Sequence, residues 1–242
     1  MEKNAFVSQT PCERGSGQAM TSEPISLIAK DGFELSAYCV RPSGTPRGAV
    51  VVVQEIFGVN DHVKKVTEGF CEQGYAGVAP AIFDRIERNV TLGYGANDTA
   101  RARALYQKVN VDAALADVAA AVQYSTQFGR VGVVGYCFGG LLAWLASCKV
   151  PNVSTAIGYY GGGITNNLAL TPRAPTMLHF GSLDQHVPIE PALAIPRTHP
   201  SVTVYAYEAD HGFNCDERPS FNRDASELAM QRTIAFLRKH IG

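Results

Sequence analysis

Apolar residues fall into two kinds of stretch along this chain: short runs that are apolar throughout, and longer segments where they recur every third or fourth position. Ala49–Val53 is the plainest run, with four successive valines. A run of this kind predicts a strand buried on both faces, as in a mainly parallel sheet flanked by helices. Arg130–Val134, Thr155–Tyr160, Thr176–Phe180 and Val202–Tyr207 read as further strands, and Ala76–Ala79 as a short one stopped by Pro80. Between them, Asp61–Gln73 has helical spacing and ends at Gly74. Thr99–Gln127, rich in Ala, predicts one or two helices. An apolar helix is expected over Leu141–Ser147, a short one near Pro191–Ile195, and a closing one from about Phe221 to His240. Ile25–Ala29 and Leu35–Val40 flank the turn Lys30-Asp31-Gly32 and predict an antiparallel hairpin. Ala81–Asp98 reads as irregular.

Strands alternating with helices imply βαβ units, hence an α/β fold with a mainly parallel central sheet, helices on both faces and an N-terminal hairpin. Residues 1–20 are expected to be a flexible extension and residues 21–242 a single domain. Charged residues make up 18% of the chain and the formal net charge is −1, with no basic block. That excludes the clustered Lys and Arg by which proteins hold nucleic acid or anionic membranes. No segment approaches the ~20 apolar residues of a spanning helix. Met1–Gly17 lacks the apolar core of a secretory signal, so a cytoplasmic location is expected.

The six cysteines, at positions 12, 39, 71, 137, 148 and 215, have no CxxC spacing. In a chain of this length that argues against a disulfide framework or a zinc site, and no metal or cofactor is expected. Most read as small buried hydrophobes. Cys137 has a different setting. Gly135-x-Cys137-x-Gly139 lies between a buried strand and an apolar helix. A strand that turns at once into a helix strains the residue at the bend, and small residues two positions away let the chains pass closely. The central side chain then stands at the sheet's C-terminal edge, beside helix N–H groups that lower a thiol's pKa and can bind an oxyanion.

A nucleophile needs a base and an acid to orient that base. Gly181-Ser182-Leu183-Asp184 follows one predicted strand, and Asp210-His211-Gly212-Phe213 follows another. Both loops lie where ligands bind in open α/β sheets. Asp184 is favoured over Asp210 as the partner of His211, because adjacent residues rarely orient one another's rings. His179, inside a strand, reads as a packed core histidine; His186 is close enough to Asp184 to line a site.

Taken together, Gln54-Glu55-Ile56-Phe57-Gly58, Gly135-Tyr136-Cys137-Phe138-Gly139-Gly140, Gly158-Tyr159-Tyr160-Gly161, Gly181-x-x-Asp184 and His211-Gly212-Phe213 resemble the dienelactone hydrolase family, in order from about Ile25 to the C-terminus. The resemblance implies an α/β-hydrolase fold and hydrolysis of a small lactone or ester. It implies Cys137 as nucleophile, His211 as base, Asp184 as its orienter, and Glu55 as a fourth group that contacts the thiol. The backbone N–H groups of Ile56 and Phe138 would form the oxyanion hole. Substrates of this family are small unsaturated lactones bearing a carboxylate, and Arg85 matches one basic position that holds it. A second arginine expected just after His-x-Phe is absent, and Asn214-Cys215 stands there. Either Arg218 reaches in, or the carboxylate site is incomplete. Tyr136, Tyr159 and Tyr160 are further candidates to line the pocket.

The partner implied is a small-molecule ester or lactone, with the chain a monomer or small homo-oligomer. Three other readings stay open. One is a general small-ester carboxylesterase, one a non-catalytic binding protein on the same fold, and one a thiol redox sensor pairing Cys137 with Cys215.

Overall fold

The computed structural model describes residues 20–242. The 1–20 extension expected from the sequence thus lies almost wholly outside the described residues, while Met20 opens the first strand. An eight-stranded sheet runs through the molecule in the order β1-β2-β4-β3-β5-β6-β7-β8. Strands β1 (Met20–Ile28) and β2 (Glu34–Pro42) form the antiparallel hairpin, β1 starting five residues earlier and β2 ending two residues later than the sequence suggested, and β2 joins β4 (Ala76–Pro80) antiparallel. From β4 onward the sheet is parallel: β3 (Ala49–Val53), β5 (Val131–Tyr136), β6 (Val153–Tyr159), β7 (Thr176–Gly181) and β8 (Val202–Tyr207). With its helices on both faces, this is the α/β-hydrolase fold.

The strand β3 shows why its sequence is apolar at every position. Successive side chains of a strand point to opposite faces. Val51 and Val53 pack with Leu115 and Val118 of α3 (Val111–Ser125) and Trp144 of α4 (Phe138–Lys149). Val50 and Val52 pack on the other side with Val63 and Phe70 of α1 (Asp61–Glu72), and with Ala229 and Leu237 of α6 (Arg223–Ile241). All four valines are fully buried. Each such side chain contributes roughly 1.5–3 kcal/mol of apolar burial.

The Ala-rich stretch forms two helices, α2 (Ala96–Tyr106) and α3, and α2 begins three residues before the expected start. Asn60, Asn110 and Asn222 cap α1, α3 and α6 by accepting from the backbone N–H three residues on. α5 (Ile189–Thr198) extends further than expected and carries Pro196 inside it. The segment read as irregular holds a short 3₁₀ turn, Ile82–Arg85, and a bridge between Gly58 and Thr91 that ties it to the loop after β3. No helix among the described residues is long and apolar enough to cross a membrane.

Candidate active site

The C-terminal ends of β3, β5, β7 and β8 bring the chemically active side chains to one edge of the sheet. Cys137 sits between β5 and α4 with φ 52° and ψ −113°, a left-handed conformation that a side chain adopts only under strain. Its N–H donates to the carbonyl of Tyr159, which fixes the bend. The two flanking glycines are obligatory. A Cβ on Gly135 would lie 1.9 Å from the Gly139 carbonyl oxygen, and one on Gly139 would lie 2.2 Å from that of Val53. Both collisions are with backbone, so nothing can give way.

The bend aims the sulfur at an imidazole. Cys137 Sγ lies 3.1 Å from His211 Nε2, and His211 Nδ1 lies 2.7 Å from Asp184 Oδ2. The other oxygen of Asp184 accepts the backbone N–H groups of His186 at 2.7 Å and Val187 at 3.0 Å. The carboxylate is therefore held on both edges and cannot turn away. Burial raises the pKa of Asp184, but the hydrogen bonds from His211 and the two N–H groups outweigh it and hold the carboxyl below its usual value. Burial disfavours charge on His211, yet Asp184 and the sulfur together push its pKa up to about 10. Tyr160 packs its ring 5.0 Å from that of His211, and His186 approaches edge-on at 5.2 Å. Asp210 accepts the backbone N–H of His211, so the imidazole's partner is Asp184, as expected.

Glu55 is buried just past β3. Its Oε1 accepts from Arg218 at 3.1 Å, and its Oε2 has no hydrogen-bond partner. The sequence reading set Glu55 against the thiol; here the sulfur's hydrogen bond goes to His211, and the guanidinium holds the carboxylate. Gln54 steadies this loop, its side chain reaching the Glu55 carbonyl and accepting from the N–H of Ile82 at 3.2 Å. Phe138 is the first residue of α4 and Ile56 follows Glu55. Among the described residues, neither N–H pairs with a backbone acceptor outside the helices and strands.

A cavity of about 390 Å³ opens beside His211, lined by His186, Asp210, Phe57, Tyr94 and Arg218 among others. Arg218 lies across Gly212, where a Cβ would come within 2.4 Å of its Nη1, and faces the packed rings of Phe57 and Tyr94, each about 6 Å away. Only a glycine with φ +78° lets the guanidinium take that path.

Arg85 is a correction. Its fork is taken on both edges, by Asp117 at 2.8 Å and by Asp31 at 2.7 Å and 3.0 Å, and it lines a separate, smaller cavity near Lys108. A guanidinium bound to two carboxylates, one of them fully buried, is a structural tie between α3 and the β1–β2 turn. Tyr159 and Tyr136 are corrections too. Tyr159 is fully buried, bonded through its hydroxyl to Thr233 of α6 and packed on His179, and neither Tyr136 nor Tyr159 lines the cavity. His179 is the core histidine expected, bonded to Tyr207 and Thr233, with burial lowering its pKa to about 3. Sequence reasoning missed Tyr94, which sits in the stretch read as irregular and carries no motif.

A model of the dienelactone hydrolase family matches residues 35–241. The chain belongs to that family. Among its relatives, a carboxymethylenebutenolidase of Pseudomonas putida is 33% identical over 90% of this chain and 97% of its own. Carboxymethylenebutenolidase 1 of Cupriavidus pinatubonensis is 30% identical with the same coverage. In structure, a putative dienelactone hydrolase from Klebsiella pneumoniae superposes with a TM-score of 0.80, covering 92% of this chain and all of that one at 24% identity.

Proposed function

We propose that this hydrolase of lactone and ester bonds works by two-step acyl transfer, with Cys137 as nucleophile, His211 as acid and base, and Asp184 as orienter of the imidazole. The observation that carries the reading is the unbroken chain from sulfur through imidazole to carboxylate, at 3.1 Å and 2.7 Å. The Cys137 proton passes to His211 Nε2, and the sulfur attacks the substrate carbonyl carbon. The N–H groups of Ile56 and Phe138 receive the negative oxygen, each such donor being worth ~100-fold or more in rate. Collapse breaks the carbon–oxygen bond, and the imidazolium returns its proton to the leaving oxygen. In a lactone that oxygen stays tethered within the thioester. Water, deprotonated by His211, then cleaves the thioester and frees the hydroxy acid and the thiol.

The relatives' name denotes a butenolide with a carboxymethylene arm, an unsaturated lactone bearing a carboxylate. Arg218 supports that class for this chain, because it lines the cavity beside His211 and can pair with a carboxylate. A substrate carboxylate arriving there competes with Glu55 for the guanidinium. The buried Glu55 carboxylate, released from its partner, then assists the thiol's proton transfer to His211, and substrate binding is coupled to nucleophile activation. The second reading, a carboxylesterase for small neutral esters, is favoured by one observation: Arg85 is committed elsewhere, leaving a single guanidinium in a cavity where two were expected.

Purified protein assayed on a carboxylate-bearing butenolide and on a neutral p-nitrophenyl ester tests both readings. Cys137→Ala should lose at least ~10³-fold on each, and a thioester adduct should be visible by mass spectrometry only when Cys137 is present. Arg218→Ala should raise KM for the butenolide and leave the neutral ester's KM within about twofold. Turnover by Cys137→Ala would overturn the mechanism, and equal loss on both substrates would overturn the carboxylate role of Arg218.

A further inference from the structure

Three donors of different chemistry converge one short turn away from Arg218. His62 lies in the first turn of α1, while Cys215 and Asp216 follow β8. One ring nitrogen of His62, the sulfur of Cys215 and one oxygen of Asp216 all lie within 4.8 Å of one another. His62 and Cys215 are buried, whereas the Asp216 side chain is 58% exposed. The cluster borders a groove of about 510 Å³ between α1 and α6, lined by His62, Val66, Asn214, Asp216 and Met230 among others. A His62–Asp216 hydrogen bond of 3.1 Å would by itself be a plain tie between α1 and the loop. The buried thiol beside it makes the set a nitrogen, a sulfur and an oxygen, with solvent on one side.

We propose that His62, Cys215 and Asp216 form a site for a borderline-soft divalent metal ion of the zinc class, its fourth position facing the groove. Imidazole, thiolate and carboxylate are the donors such an ion takes, and three protein ligands with one open position is an established arrangement for it. Magnesium and calcium, which require oxygen ligands, are disfavoured by the sulfur. Bonds of ~2.0–2.3 Å place tetrahedral ligand atoms ~3.4–3.6 Å apart, so a separation at the 4.8 Å limit would close by about 1 Å on binding. His62 and Asp216 already stand 3.1 Å apart, so the adjustment brings that pair and the Cys215 sulfur together. On binding, the sulfur–hydrogen bond of Cys215 breaks, its proton leaves to solvent, and a sulfur–metal bond forms with no change of oxidation state. Burial pushes the Cys215 thiol up to about 11, so without a metal it stays protonated and unreactive at neutral pH, which disfavours a redox role.

The site has a structural consequence. The N–H of Arg218 donates to the carbonyl of Cys215 at 3.1 Å, and Arg218 in turn holds Glu55. A metal at Cys215 would pin to α1 the turn that carries the cavity's guanidinium. The spacing of the sequence conceals this, since His62 and Asp216 are 154 positions apart.

Titration of the full chain with Co²⁺ tests the proposal, in a background of Cys12→Ser and Cys137→Ala that removes two competing thiols. One equivalent should bind and give a thiolate-to-cobalt charge-transfer band with visible bands of tetrahedral strength, all displaced by Zn²⁺. Adding Cys215→Ser should abolish the charge-transfer band. Asp216→Asn, an exposed change that leaves the fold alone, should weaken affinity by more than the ~10–100-fold typical of losing an outer hydrogen-bond partner. A charge-transfer band of equal intensity in Cys215→Ser, the absence of any such band in the background protein, or unchanged affinity in Asp216→Asn would each overturn the site.

Discussion

Asp184→Asn isolates the work done by one carboxylate, because it turns one atom from acceptor to donor and changes almost nothing of shape. In the native protein one oxygen accepts two backbone N–H groups, from His186 and Val187, and the other accepts His211 Nδ1–H. An amide has one acceptor and one donor end, so it can serve only one side. Turned with its oxygen toward the imidazole, it sets an NH₂ against two buried N–H donors, at about 1–3 kcal/mol for each left unsatisfied. Turned the other way it satisfies both N–H groups and offers an NH₂ to Nδ1. The second arrangement wins, since it leaves fewer donors stranded. Nδ1 must then be the acceptor, the ring proton moves to Nε2, and Nε2–H faces the sulfur 3.1 Å away. An imidazole in that tautomer cannot take the thiol's proton. The corresponding change in a serine-nucleophile triad lowers kcat by ~10⁴, or about 5.5 kcal/mol at 1.36 kcal/mol per tenfold. We expect a loss of ~10³–10⁴ here, less than the serine case because a thiol ionises more readily than a hydroxyl. Single-turnover acylation by a p-nitrophenyl ester reads the rate, and ¹⁵N NMR of labelled histidine reads the tautomer. Acylation within tenfold of the native rate, with Nδ1 still protonated, would refute the reasoning.

Arg85→Ala should cost stability rather than activity. Its loss strands Asp117, which is fully buried, and breaking one partner of a buried ion pair costs roughly 3–5 kcal/mol; urea unfolding measures it, and kcat/KM of the folded fraction should be unchanged. Gly135→Ala drives a Cβ to 1.9 Å from a backbone oxygen at the elbow. We expect insoluble protein or a destabilisation above ~3 kcal/mol by thermal unfolding. The His211–Asp184 pair should also appear in the pH dependence of stability. His211 has its pKa raised from 6.5 to about 10, so its contribution is complete below 6.5 and fades as pH rises toward 10; that of Asp184, lowered from 3.8, fades only in acid. The stability gap between native protein and Asp184→Asn should therefore narrow between pH 6 and pH 10 in urea titrations, and a gap that widens would contradict the pair's assignment.

Much of the fold could be read from local pattern. The valine run of β3 states that both faces are covered, and the structure covers them with α1 and α6 on one side and α3 and α4 on the other. The turn at Cys137 is legible for the same kind of reason. The two glycines are demanded by backbone atoms within a few residues, or on the adjacent strand, so the constraint is written where it acts. The order of Cys137, Asp184 and His211 was readable because each follows a strand, and parallel strands deliver their C-terminal ends to one edge. Tyr94 was not readable, because it reaches the cavity from a segment placed by distant partners, among them the bridge from Thr91 to Gly58 and the hydrogen bonds from Asn60 to Leu92 and Tyr94.

The choice between two arginines shows where sequence stops. Arg85 and Arg218 are both long cations near a strand's end, and the resemblance put Arg85 at the substrate carboxylate, with Arg218 only as a stand-in for an absent second arginine. Asp117, on a helix 32 residues away, claims Arg85, and Gly212 together with Glu55 steers Arg218 into the cavity. A guanidinium goes to whichever carboxylates the fold brings within its reach. Backbone turns and burial patterns are local and were present in the chain from the start; the pairing of charges across the molecule exists only once it has folded.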